Sequence, residues 1–187
     1  MSWSPALYIR KFGLSPMEAG YTLSTVLLVA NTTGVLFGGW LTDYLAKKGH
    51  QDAAMRTGVI GALGMAVPAV MFSQVDQLWL SVTLLVPAMF FASFPMPAST
   101  AAMQILAPNQ VRAQVSAVFL LISNLLGLGL GTTLVALLTD RYFGTPAAVG
   151  SSMSLVIAGA SALTVLLLWR GCRRFRESYA REYPTLA

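Results

Sequence analysis

From residue 19 to residue 42 the chain reads AGYTLSTVLLVANTTGVLFGGWLT, which is 24 residues without a single Asp, Glu, Lys, Arg or His. A helix rises 1.5 Å per residue, so this stretch spans about 36 Å, enough to cross a hydrocarbon core of ~30 Å. The apolar residues fall on every side of the helix, whereas a helix in water needs a polar face. The stretch has a defined start. Ser15-Pro16-Met17-Glu18 carries Ser at the N-cap position, Pro at the first helical position and Glu at the third, which is a capping box. It also has a charged end, Asp43 followed by Lys47 and Lys48.

Four more stretches lack charge in the same way: residues 57–75, 77–111, 113–139 and 142–169. The whole chain of 187 residues is 56% hydrophobic and 10% charged, against about 25% charged in soluble domains. Such a chain has too little charge to cover a water-facing surface. The sequence therefore predicts an all-α, polytopic transmembrane helix bundle. Residues 1–187 form one transmembrane domain, with spans at about 16–45, 56–73, 77–106, 111–139 and 146–170 and a basic tail at 171–187. Pro87, Pro95 and Pro97 predict kinks in the third span, because each removes a backbone donor. Trp3, Trp40, Trp79 and Trp169 fall near span ends, where an amphipathic ring prefers the interface.

With five spans the connections alternate between two sides. One side carries Lys47, Lys48, Arg56, Arg112, Arg170, Arg173, Arg174, Arg176 and Arg181; the other carries Arg10, Lys11 and Arg141. The positive-inside rule puts the first group, and the C-terminus, in the cytoplasm. The expected location is the plasma (inner) membrane, multi-pass. An external N-terminus ahead of an odd number of spans, with no leader in the first ten residues, suggests a fragment or a half of a longer protein. The net charge of +5 does not indicate nucleic acid, because the basic residues flank the spans and form no separate basic domain. Cys172 is the one cysteine, which excludes an intramolecular disulfide and a cysteine-based zinc site.

Function is sought first at the end of the first span. Gly38-Gly39-Trp40-Leu41-Thr42-Asp43-Tyr44-Leu45-Ala46-Lys47-Lys48-Gly49 places Asp43 four residues after Gly39 and Lys47 four residues after Asp43. On composition alone, this is equally a solvated loop obeying the charge rule. The stretch resembles the G-x-x-x-D-x-x-x-[KR] loop of the major facilitator superfamily, which recurs in the C-terminal half of those transporters. Three other stretches are similar to spinster-like and organic-anion-type members. They are Trp3-Ser4-Pro5 through Arg10 with Gly13 and Gly20, Arg112 through Ala117 with Asn124 through Gly131, and Asp140 through Gly144. The resemblance implies a partial C-terminal domain of a secondary transporter. Gly39, Asp43, Lys47 and Lys48 would then form a gating motif whose Asp faces the positive end of a helix in the other half. Such an anion at a helix N-terminus is worth about 0.3–1 kcal/mol.

Polar groups inside the spans are few, and an amide in hydrocarbon needs a partner or a wet cavity. Asn31, Gln104 and Asn124 are therefore candidate cavity-lining residues, with Phe94 from the aromatic run 90–97; hydrogen bonding between helices accounts for the amides equally well. Gly34 with Gly38 is a GxxxG pair, and Gly34, Gly38, Gly127 and Gly131 are candidate helix-packing positions. Gly127, Gly129 and Gly131 sit mid-span with no strand before them, so they are no nucleotide loop. No carboxylate lies within the charge-free stretches, and no metal cluster, carboxylate pair or nucleophile with a base is evident. The expected function is transmembrane transport of a small, possibly amphiphilic solute by alternating access. The expected partners are the lipid bilayer and a missing N-terminal half or a second copy. No enzyme activity, cofactor, metal or nucleic acid is expected. The alternative is a non-transporting structural or assembly subunit.

Overall fold

The structure, a computed structural model, describes residues 3–50, 52–106, 110–143 and 149–182; side chains are described to residue 172, except those of 101, 102, 104–106 and 143. Every regular element among them is helical: α1 Ser4–Phe12, α2 Pro16–Lys47, α3 Ala53–Gln74, α4 Leu78–Ala92, α5 Pro95–Leu106, α6 Arg112–Asn124, α7 Gly131–Leu137 and α8 Val149–Glu182. Two π-helical segments, Leu125–Leu130 and Leu138–Phe143, continue α6 and α7 into one long rod. Five helical stretches are long and apolar enough to cross a membrane: Pro16–Lys47, Ala53–Gln74, Leu78–Thr100, Arg112–Tyr142 and Val149–Cys172. The fold is a polytopic helical membrane bundle.

The first long helix begins where its capping box is written. The Ser15 hydroxyl accepts from the Glu18 backbone N–H, and the Glu18 carboxylate accepts from the Ser15 backbone N–H at 2.9 Å. Gly13, at φ 68°, supplies the left-handed turn between α1 and α2.

The third span breaks once, at Ser93-Phe94, and resumes at Pro95. Proline lacks an N–H and crowds the helical conformation of the residue before it, which accounts for the break. Pro97 lies in the first turn of α5, where a missing N–H costs little. Pro87 stays inside continuous α4, and Pro68, which the sequence reading passed over, stays inside α3.

An aromatic cluster gathers at the break. Phe90, Phe91 and Phe94 pack edge to face or tilted, with ring centres 5.1–5.2 Å apart, and Phe37 of α2 joins Phe94 at 5.9 Å. Glycines on two neighbouring helices make room for this cluster. A Cβ at Gly34 would lie 2.3 Å from the Phe90 carbonyl oxygen, and one at Gly38 would lie 3.0 Å from the Phe94 Cα. On α3, a Cβ at Gly61 would meet Phe94 Cβ at 2.7 Å, and one at Gly64 would meet the Phe91 ring at 2.6 Å. The backbones of α2 and α3 thus come as close to α4 as glycine permits.

At the opposite end α1 caps the bundle. Leu7 and Tyr8 are fully buried. Ser81 donates to the Phe72 carbonyl at 2.7 Å, so the Tyr8 hydroxyl, 3.1 Å away, donates to Ser81. Burial pushes the Tyr8 phenol pKa up, and its bond to Ser81 offsets part of that. Lys11 closes the same end through the Ser73 and Gln74 carbonyls and Asp76.

The fourth span is attached differently. Only 6% of its most apolar window is buried, against 22–33% for the other four. It is held near one end. Val135 enters the core, Thr139 bonds Ser152 of α8 at 2.9 Å, and the Trp3 indole donates to the Thr132 carbonyl at 3.2 Å.

Candidate functional site

The four residues expected to form a gating motif, Gly39, Asp43, Lys47 and Lys48, lie at the end of a helix. Good helix formers, Leu41, Leu45, Ala46 and Lys47, carry α2 to Lys47, and the chain turns only at Lys48-Gly49, with Gly49 at φ 83°. Gly39, Asp43 and Lys47 therefore recur every four residues along one side of the last turns. Asp43, Lys47 and Lys48 are exposed. Asp43 makes no ion pair among the described residues, and the Lys48 ammonium lies 4.5 Å from the Tyr44 ring centre, a cation–π distance.

Behind this exposed face the helix end is fastened. Thr42 is buried, with its hydroxyl 2.8 Å from the Gly38 carbonyl and 3.1 Å from the Thr57 hydroxyl; Thr57 is itself fully buried and bonds the Ala53 carbonyl. Next to it is a residue that sequence reasoning missed. Asp52, at the start of α3, is 2% exposed and accepts from Arg56 Nε at 2.8 Å. The signal was available in the sequence, since an acid at a helix start followed four residues later by Arg is a favourable pair. The Thr42–Thr57 bond ties the end of α2 to α3, the Asp52–Arg56 pair lies at the start of α3, and the Asp43 carboxylate stays exposed.

The candidate cavity residues do not converge. Asn31 is half-buried, and its side-chain oxygen accepts from Ser93 at 3.0 Å, at the break of the third span. Ser93 also touches the Met89 carbonyl at 3.0 Å, so this contact joins α2 to the break. Phe94 is 1% exposed and fills the space between Gly38 and Gly61. Asn124 is exposed and donates to the Leu120 carbonyl of its own helix at 2.8 Å. The side chain of Gln104 lies outside the described ones. Among the packing candidates, Gly34 and Gly38 touch α4. Gly127 has open space around it, and a Cβ at Gly131 would meet nothing nearer than the Leu126 carbonyl at 3.9 Å. No group of three or more metal-ligating side chains occurs among the described residues.

No family model matches this chain. Two curated proteins of Bacillus subtilis (strain 168) are similar to parts of it. The uncharacterized transporter YybO is 30% identical over 60 residues, covering 32% of this chain and 14% of that protein. The probable galactarate/D-glucarate transporter GudP is 30% identical over 95 residues, covering 50% of this chain and 21% of that protein. The matched stretches thus span a seventh to a fifth of these relatives. With five apolar helices and partial similarity to transporters, the chain is an integral, multi-pass membrane protein related to transporters over part of its length.

Proposed function

We propose that this chain forms one wall of a secondary transporter of the major facilitator type and moves a small solute by alternating access. The observation that carries this reading is the similarity to two Bacillus proteins named as transporters, one of them over half the chain. The exposed Asp43 on a helix end tied to α3 by the Thr42–Thr57 bond supports it as well. A rigid end with an unpaired carboxylate suits a contact made in one conformation and released in the other. In such transporters the substrate lies between two halves related by an axis along the membrane normal. Asn31 then faces the solute path beside the break, and a second half supplies the opposite wall. The basic flank, with Lys47, Lys48, Arg112 and Arg170, faces the cytoplasm of an inner-membrane protein. The name of the second relative makes a hydroxylated dicarboxylate the first solute to try; an amphiphilic solute is the second.

The test joins this chain to the upstream portion of the galactarate/glucarate relative and measures uptake of labelled glucarate and of an amphiphilic anion by cells. Saturable uptake of either solute is expected. In the same fusion, Asp43→Asn should shift cysteine labelling of a cytoplasm-side position by roughly 5-fold, the equivalent of ~1 kcal/mol at a helix end. A fusion that reaches the membrane intact and takes up neither solute sinks the transport reading and favours an assembly role. Normal uptake with unchanged labelling sinks the gate alone.

A further inference from the structure

The outer faces of α3 and α8 enclose a groove of about 830 Å³ that none of the roles above uses. It lies within the ~300–1,000 Å³ typical of sites for small ligands. Its lining is almost wholly apolar and comes from two helical stripes, Ala66 and Val70 of α3 and Ser161, Ala162, Trp169 and Arg170 of α8 among them. The helices pack tightly at both ends of α3. A Cβ at Gly150 would meet the Ser73 carbonyl at 2.5 Å, and one at Gly58 would meet Leu168 at 3.1 Å. Between these contacts the small residues Ala66, Ser161 and Ala162 leave the space open.

Three features identify the occupant. The groove follows α8 from Ala158 to Arg170, about 18 Å at 1.5 Å per residue, which suits an extended acyl chain. Trp169, 71% exposed, and Arg170, also exposed, stand together at one end, where the charge-free stretch gives way to the basic tail. An aromatic ring beside a cation at a span end marks the level of the lipid headgroups. Ser161, in the middle of the groove, and its neighbour Ala162 are small, so protein packing leaves this side of α8 unfilled over the length a chain would occupy.

We infer that the α3–α8 groove is a binding site for one anionic glycerophospholipid, whose acyl chain lies along Ala66, Ser161 and Ala162 and whose phosphate meets Arg170. The site is separate from the gate and the solute path and stands whether or not the chain transports. A snorkelling Arg supplies the headgroup contact, and the apolar stripe supplies the affinity for the chain.

The experiment places the whole chain in phosphatidylcholine vesicles carrying, as the minor lipid, either brominated phosphatidylglycerol or brominated phosphatidylcholine. Bromine on the acyl chain quenches a nearby indole. The Trp169 signal is the difference between the parent and Trp169→Phe, so the other tryptophans stay in place. One cation near the surface gives about fivefold enrichment of an anionic lipid, so phosphatidylglycerol should quench Trp169 at a correspondingly lower fraction. Arg170→Lys should keep that preference, and Arg170→Gln should abolish it. Ala162→Phe, a filling change at an exposed position, should weaken quenching by both lipids. Equal quenching by the two headgroups in the parent overturns the site. A phosphatidylglycerol preference that Ala162→Phe leaves untouched also overturns it, because the lipid would then be general boundary lipid drawn by the tail.

Discussion

The α2–α3–α4 wall and the fourth span are made of the same material and are used in opposite ways. Both are apolar and both contain glycines at helical spacing. In the wall, Gly34, Gly38, Gly61 and Gly64 each face a phenylalanine or its backbone within 3.0 Å of where a Cβ would stand. In the fourth span, Gly127 faces nothing, and Leu121, Leu125, Leu126 and Leu128 are more than half exposed. The difference teaches that hydropathy in such a chain reports the solvent and not the packing. Lipid accepts leucine as readily as a protein interior does, so burial inside the bundle follows from shape.

The largest break of this comparison is at Phe94. Truncation to Ala removes a ring held between two glycine faces and should cost about 3–5 kcal/mol, by the usual scale for buried aromatics. Leu125→Ala, at 67% exposure, should stay within about 0.5 kcal/mol. Denaturation in detergent followed by circular dichroism measures both. Similar losses at the two positions would mean that the fourth span is packed as the wall is.

Gly34→Ala comes next. The added carbon would lie 2.3 Å from a backbone oxygen, which no side-chain movement can clear, so α2 must shift at about 1–3 kcal/mol. Gly64→Ala meets the Phe91 ring instead, and Phe91→Leu should relieve it. A double-mutant cycle should therefore show favourable coupling between 64 and 91. Additive losses would show that the Phe91 ring is not the obstacle.

Asn31→Ala should cost about 0.6 kcal/mol, and no more than ~1.7, the range for hydrogen bonds between membrane helices. Ser93→Ala in that background should then add almost nothing. A full second loss would separate the two side chains.

The smallest effect has the opposite sign. Gly127→Ala puts a methyl group into open space and replaces a poor helix former, so it should stabilise the fourth span by up to about 1 kcal/mol. A loss at this position would reveal a close neighbour and would erase the contrast drawn with Gly34.

Much of the fold was legible because its rules are local. The capping box marked the start of α2 to the residue, and the charge-free stretches marked the helices that pass through lipid. The break before Pro95 was legible as well, since proline acts on its own neighbour. Pro87 and Pro68 lie inside continuous helices, and the sequence alone does not say which proline interrupts one. The site was less legible. Glycine spacing marked Gly34 and Gly38, and Gly58, Gly61 and Gly64, as close-packing positions, but it did not name what they pack against, Phe91 and Phe94 in the case of Gly61 and Gly64. The same reasoning could not separate Asn31, which meets Ser93, from Asn124, which bonds its own helix. Both amides obey one rule, that a polar group in lipid must be satisfied, and the sequence does not say by which partner.

The bond from the Trp3 indole to the Thr132 carbonyl has a consequence in time. Its ends are 129 residues apart, so it forms only after three spans and most of the fourth have been synthesised. At 5–20 residues per second the ribosome needs roughly 6–26 s to cover that distance. Through this interval α2, α3 and α4 can assemble, because their contacts join sequence neighbours. The lead helix α1 meanwhile waits with one flank uncovered. The nascent chain therefore has an early stage at the phenylalanine cluster and a late one, in which Trp3 meets Thr132 and α8 then packs on α3. The late stage is where a slow ribosome or a crowded translocon would leave its mark.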